Sequence, residues 1–254
     1  MSIATIENIK QLRAQMDAPY QDCVKALEAN DNDIAQASQW LKETNKASVR
    51  DAKTDCGAIG CFIDGSSATL VVAKCETDFV AINEKFTGMV DQLAENLHNQ
   101  KPNAIEEFKE SVWVFKEAVD VGECVTVNAV GSSQVAVYLH HNRELAAIVT
   151  YVGGTSDAAK KIAMQVCAMK PVYIRVENID TEKYQQWIDK AKQEARETGK
   201  PEAILDKIAE GKVKSTLKES VLMEQSMFDD AKTTVAQFTT NAKMEVLRFA
   251  RVTL

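Results

Sequence analysis

One pattern unit occurs twice in this chain and restricts its fold more than any other feature. In the first copy a run of strand character at 57–63 (GAIGCFI) is followed by Asp64-Gly65. A second, β-branched run at 68–75 (ATLVVAKC) comes next, and then a helix that opens near Asp78. In the second copy 135–139 (VAVYL) leads through the polar His141-Asn142-Arg143-Glu144 to 145–152 (LAAIVTYV). Gly153-Gly154-Thr155-Ser156-Asp157 then precedes a helix carrying Ile162, Val166 and Met169. Asp-Gly between β-type runs is a strong hairpin signal, and the second turn is a weaker one. Two hairpins, each followed by a capped helix, predict a duplicated α+β core with helices packed on antiparallel strands. Between the copies 105–119 reads as a helix and 124–130 as a strand, and 244–252 reads as a last strand returning to the second half.

Two helical regions flank this core. Ile9, Leu12 and Met16, then Val24 and Leu27, then Ile34, Ala37, Trp40 and Leu41 mark three short amphipathic helices. Pro19 near the start of the second and Asp31-Asn32-Asp33 before the third supply the breaks. Residues 42–54 are polar and suit a linker. From Ile179 onward Tyr184, Ile188, Ala191, Ala195 and Thr198 recur at heptad spacing. Gly199-Lys200-Pro201 then stops one helix and starts another, which holds Ile204, Leu205, Ile208 and Val213. With about two heptads per arm, such an antiparallel helical hairpin needs the core to lean on. The expected division is 1–44 as a three-helix module and 45–54 as linker. The first core half is 55–130, the second is 131–178 with 219–254, and the hairpin is 179–218.

Charge and cysteine usage exclude several function classes. Thirty basic against thirty-seven acidic residues leave a net charge of −7, which repels phosphate backbones and disfavours nucleic acid as the main partner. No run approaches the ~18 apolar residues of a membrane span and the N-terminus has no signal-like apolar run, so the cytoplasm is the expected location. The cysteines Cys23, Cys56, Cys61, Cys75, Cys124 and Cys167 form no CxxC pair, and His98, His140 and His141 are too few to complete a metal shell. Neither a metal nor a cofactor is expected.

The functional residues are expected in Thr77-Asp78-Phe79-Val80, where strand character ends and a helix begins. Thr77 or Asp78 can cap that helix, and the acid suits the positive end of its dipole. Phe79, Ile82, Phe86, Val90, Leu93 and Leu97 follow at spacings of three and four, the stripe of one long amphipathic helix. Phe79 lies at the end of that stripe. It has two readings: the first core residue of the helix, or a side chain that points past the helix end into a partner.

Several stretches, in order, resemble the elongation factor Ts family. Thr77-Asp78-Phe79-Val80 matches its TDFV signature, and Asp22-Cys23-Val24-Lys25-Ala26-Leu27 is one substitution from its D-C-K-K-A-L pattern. Tyr138-Leu139-His140 matches Y-x-H, and 162–171 follows I-A-M-H-V-A-A-x-x-P with Gln165 in place of the histidine. Gly199-Lys200-Pro201 matches the hairpin tip, 210–214 the E-G-[KR]-x-x-K run, and 222–228 the L-x-x-Q-x-F run.

The resemblance implies a ubiquitin-associated-like N-terminal module, a coiled-coil hairpin and an exchange factor for the translational GTPase Tu. Such a factor binds Tu in its GDP-bound and nucleotide-free states and carries out no covalent chemistry. The tip residues Thr77, Asp78, Phe79 and Val80 would disturb the magnesium and phosphate region of the GTPase. Weaker partner contacts are implied for Arg13, for Tyr20 and Gln21 where the family has two methionines, for Val121-Gly122, and for Gln165. Long members continue past the point matching Leu254 with a further helix that meets the same partner, a contact not expected here. The alternative is a cytosolic thiol enzyme that uses Cys75 with His140 or His98 as base, although Glu76 and Asp78 oppose a thiolate there.

Overall fold

The computed structural model describes residues 4–16, 18–48, 53–199 and 201–254. Asp17, Lys200 and residues 49–52 of the expected linker lie outside the described residues. The chain opens with α1 (Ile6–Met16), α2 (Tyr20–Ala29) and α3 (Ile34–Ser48). Asp33 Oδ1 accepts from Gln36 N at 2.9 Å to cap α3, which runs to Ser48, further than the expected module boundary at 44. Ile9, Leu12, Cys23, Ala26, Leu27, Ala37 and Leu41 fill the bundle's interior. Trp113, 9% exposed, belongs to the same cluster. The bundle is therefore completed by a residue from the first core half.

Two three-stranded antiparallel sheets make up the core. β1 (Cys56–Ile63), β2 (Ser67–Cys75) and β3 (Val119–Asn128) form one, with β2 central. β4 (Gln134–Leu139), β5 (Leu145–Gly153) and β8 (Met244–Thr253) form the other, with β5 central. The strands alternate faces. From the first sheet Leu70, Val72 and Val127 meet Ile148 and Val252 of the second, so the sheets pack face to face. The opposite face, with Ala58, Val71, Ala73 and Cys75, lies under α5 (Glu84–His98) and α6 (Ala104–Ser111). On the second sheet Val149, Tyr151 and Val246 lie under α7 (Ser156–Met169). Burial on both faces is why the two central strands read as continuous apolar runs. α5 sits so close to β1 that a Cβ on Gly60 would lie 2.2 Å from Val90 O.

The two halves are joined at the β4–β5 turn. Arg143 holds Asp91 of α5 through two hydrogen bonds of 2.8 and 2.7 Å, and its guanidinium also donates to Ile59 O at 3.1 Å. Its carbonyl accepts from Ile59 N at 2.7 Å. Asp91 further accepts from Cys61 N at 3.0 Å, so one buried-edge network ties a turn of the second half to a strand and a helix of the first.

α8 (Thr181–Glu197) and α9 (Leu205–Ser220) form an antiparallel pair that buries Ala191, Ala195, Leu205, Ala209 and Val213. Lys192–Asp206 at 2.6 Å and Lys212–Glu194 at 2.7 Å cross between them. Small β6 (Ser226–Met227) and β7 (Asp230–Thr234) then lead into α10 (Val235–Asn241), which opens with a reciprocal Thr234/Gln237 capping box.

Three expectations need correction. The helix predicted over 105–119 ends at Ser111, passes through a 3₁₀ turn at Val112–Phe115 and stops at Lys116, whose φ is +55°. The following strand, expected from 124, begins at Val119, so Gly122 lies within it. It lies at a β-bulge, where two β3 residues, Gly122 and Glu123, stand against Val72 alone. The long helix predicted from 78 is two helices, α4 (Asp78–Ala81) and α5, with a break at Ile82-Asn83.

Candidate partner-binding tip

That break builds the site. Asn83 Oδ1 accepts from Lys85 N at 2.9 Å and Phe86 N at 3.4 Å, capping α5 and ending the single turn of α4 before it. A continuous helix would have kept Phe79 and Ile82 on the core stripe with Phe86. With the axis broken, Phe86 is fully buried, while Phe79 is 78% and Ile82 73% exposed. The two are three residues apart on one helical turn and so share a side. Asp78 is exposed beside them, and Val80 turns inward at 8%. Of the two readings of Phe79, the core residue is excluded.

The turn is held from below by two carboxylates. Thr77 Oγ1 accepts from Val80 N at 3.4 Å, a long cap bond. Glu117 strengthens the same position, its Oε2 accepting from Thr77 N at 3.0 Å and its Oε1 from the Thr77 hydroxyl at 2.5 Å. In return Glu76 Oε1 accepts from Ala118 N at 2.6 Å. The chain entering the tip is thus fastened at Glu76 and Thr77 to the segment entering β3. That segment also reaches the bundle, where Lys116 Nζ lies 2.6 Å from Asp22 of α2.

The other predicted positions divide. Tyr20, 54% exposed, and Gln21 adjoin Asp22 at the start of α2, and so are brought toward the segment that fastens the tip. Val121, half-buried, and exposed Gly122 lie on β3, alongside the end of β2 from which the tip emerges. Arg13 is exposed on α1. Gln165 does not reach the surface: it is 0% exposed, donates to Gln225 Oε1 at 3.1 Å and Ser226 O at 3.0 Å, and accepts from Phe228 N at 2.7 Å. Its amide is satisfied inside the second half and stitches α7 to the segment before β7, so its expected partner contact is corrected to a structural role.

The thiol alternative fails on geometry and electrostatics. Cys75 is buried and its thiol donates to Thr77 O at 3.2 Å. Burial first, then the neighbouring Glu117 and Cys56, push its pKa up to about 12, which leaves no useful thiolate near neutrality. No histidine serves it. His98 is committed to Asp64 at 3.1 Å, Ser67 at 3.2 Å and Thr69 at 3.0 Å, and Thr69 is six residues from Cys75 along β2, about 20 Å of strand. His140 pairs with the Tyr138 hydroxyl at 2.7 Å. Asp64 and Ser67 both meet the same ring nitrogen of His98, so these three pin the β1–β2 turn to the end of α5 and do not form a relay. The N–H groups of Ser66 and Ser67, and then His98, hold the Asp64 carboxyl well below the usual range.

Among the described residues no group of three or more His, Cys, Asp or Glu side chains could hold a metal ion, and no helix is long and apolar enough to cross a membrane. Sequence reasoning missed Ile82, Glu76 and Glu117. Asn83-Glu84 ahead of Phe86 is a capping signal that could have exposed Ile82. Glu117 had no signal, being forty residues from Thr77.

Comparison with known proteins matches the family model for elongation factor TS to residues 76–254. Elongation factor Ts of Azoarcus sp. (strain BH72) is 36% identical over 252 residues, which cover 92% of this chain and 85% of that protein. The protein of the same name from Nitratidesulfovibrio vulgaris (strain DP4) is 34% identical, with 92% and 87% covered. That from Paraburkholderia phytofirmans (strain DSM 17436 / LMG 22146 / PsJN) is 32% identical, with 98% and 90% covered. With relatives aligned over more than nine-tenths of its length and a family match running from Glu76 through the tip, the chain belongs to the elongation factor Ts family.

Proposed function

We propose that this chain is a guanine-nucleotide exchange factor that binds elongation factor Tu, GDP-bound and nucleotide-free, in the cytoplasm and drives GDP release without covalent chemistry. The observation that carries this reading is Phe79, a large aromatic held almost wholly in water on a turn capped at both ends. Folding gains nothing from that exposure, whereas an aromatic anchor entering a desolvated pocket is the usual centre of a protein interface. Asp78 supplies the polar contact beside it, Thr77 and Val80 set the turn, and Ile82 extends the apolar face. Arg13, Tyr20, Gln21, Val121 and Gly122 form the outer contacts.

The tip binds the form of the GTPase whose magnesium and phosphate region is displaced, and so selects a state with weak GDP affinity. Within this reading the N-terminal helices, through Ser48 at the end of α3, are a ubiquitin-associated-like module, 55–130 and 131–178 with 219–254 are the two core halves, and 179–218 is a coiled-coil arm. The chain itself uses no metal or cofactor in this reading and engages neither nucleic acid nor membrane.

The direct test is release of a fluorescent GDP from cognate Tu with sub-stoichiometric chain, which should accelerate with turnover. Calorimetry adds the mechanism. Whatever factor the chain takes from GDP affinity, GDP must take from the chain's own. Affinity should fall from nucleotide-free Tu, to Tu with GDP, to Tu with GDP and magnesium; equal affinity in all three would defeat the proposal.

A further inference from the structure

We propose that Glu117 is the positioning residue of the tip, a role that rests on the exchange reading above. Two features single it out. The cap that Thr77 provides for its own turn is weak, with a 3.4 Å bond to Val80 N, and a four-residue helix has too few internal bonds to hold its shape. Glu117 supplies what is lacking: both carboxylate oxygens close on Thr77, one on the amide at 3.0 Å and one on the hydroxyl at 2.5 Å. The hydroxyl hydrogen is thereby directed to the carboxylate, which leaves the Thr77 lone pairs facing the Val80 amide as the cap requires.

Glu117 is itself fixed from three sides. Ala118 N is bound by Glu76, Lys116 turns through a left-handed backbone and pairs with Asp22, and Trp113 is seated in the N-terminal bundle. The carboxylate's hydrogen bonds go to Thr77, and Thr77, Asp78 and Phe79 are consecutive, so the orientation of Phe79 follows from this clamp. Without it the turn samples geometries in which Phe79 and Asp78 do not present together. Apparent affinity for the GTPase then falls by the fraction of competent molecules, while the rate from the assembled complex is unchanged.

The experiment compares wild type, Glu117→Ala, Glu117→Gln, Thr77→Ala and the Glu117→Ala/Thr77→Ala double variant in fluorescent-GDP release from cognate Tu. Rates are taken across chain concentration, with thermal midpoints measured alongside. Glu117→Ala should raise the half-saturating concentration by ~10-fold with the maximal rate retained. Glu117→Gln keeps one acceptor for the amide but sets a donor against the hydroxyl, so it should recover part of that loss and no more. The double variant should lose less than the sum of the two single losses, because the singles share the hydroxyl–carboxylate bond, while Thr77→Ala keeps the amide bond to Glu117. Wild-type behaviour of Glu117→Ala beside a defective Phe79→Ala overturns the positioning role and leaves the exchange reading standing. Losses that add in full, or a defect that Gln does not recover even in part, mean general destabilisation and also overturn it. If the wild-type chain releases no nucleotide, the exchange reading fails and this role fails with it.

Discussion

Replacing Phe79 by alanine separates interface from fold by magnitude. A phenylalanine side chain offers roughly 200 Å² of surface, and Phe79 is 78% exposed, so the protein itself shields only about 45 Å² of it. At ~25 cal/mol per Å² the fold loses at most about 1 kcal/mol, or ~2–4 °C in thermal midpoint for a chain of this size. A partner that covered the remaining surface would gain up to about 4 kcal/mol by the same measure, and an anchoring aromatic contributes at least ~2 kcal/mol. Exchange efficiency should therefore fall by roughly 30- to 1,000-fold.

Phe86→Ala is the control. Phe86 is fully buried three residues beyond Asn83, and its loss should cost ~3–5 kcal/mol of stability while the surviving folded fraction still exchanges nucleotide. The assay is fluorescent-GDP release at sub-saturating chain, alongside calorimetric unfolding of both variants. The reasoning is refuted if Phe79→Ala keeps its efficiency within a factor of two, or loses as much thermal stability as Phe86→Ala.

Three further outcomes are expected. Ile82→Lys, at a position 73% exposed, should leave the midpoint within ~2 °C and weaken exchange through a charge on the apolar face; unchanged exchange would remove Ile82 from the interface. Arg143→Ala removes the guanidinium that bonds both Asp91 and Ile59 O, leaving Asp91 only the Cys61 amide. Because the pair is a quarter to a third exposed at 26% and 35%, the loss should be about 1–3 kcal/mol by denaturant unfolding, and a loss under ~0.5 kcal/mol would show that the two halves do not depend on this tie. The thiol of Cys75, raised from 9.0 to about 12, stays protonated in the fold where the unfolded chain has already lost its proton. Stability should thus be intact below about pH 9 and fall as pH rises toward 12; Cys75→Ala should flatten that alkaline limb in pH-dependent unfolding, and an unaltered limb would contradict the burial effect.

The six strands of the two core sheets, their order of appearance and the caps of the helices that follow the hairpins were legible in the sequence because each rests on local chemistry, whereas β6, β7 and α10 were not read. Asp64-Gly65 turns one hairpin, and Thr155, accepting from Ala158 N at 3.2 Å, starts α7. Errors arose where periodicity alone was followed. The spacing of Phe79, Ile82 and Phe86 is perfectly helical, but it cannot register that Asn83 spends its side chain on Lys85 N and Phe86 N and so restarts the axis. Gln165 was misplaced because a helix face looks the same in sequence whether solvent or the 225–228 segment covers it. Glu117 was invisible because its partner, Thr77, meets it only through the pairing of β2 with β3, which brings Cys75 opposite Val119.

The seating of Trp113 in the N-terminal bundle has a consequence for how the chain is made. α3 ends at Ser48, and the residue that closes the bundle's floor lies sixty-five positions further on. At a synthesis rate of ~5–20 residues per second that separation lasts roughly 3–13 s, whereas isolated helices form within about a microsecond. Throughout that interval the three helices are complete in sequence but unfinished as a hydrophobic unit, with an indole-sized gap open to water or to a chaperone. The three-helix bundle therefore settles only when the segment behind the tip arrives, and the arrival of Trp113 brings Lys116 and Glu117 to their partners within the same few residues.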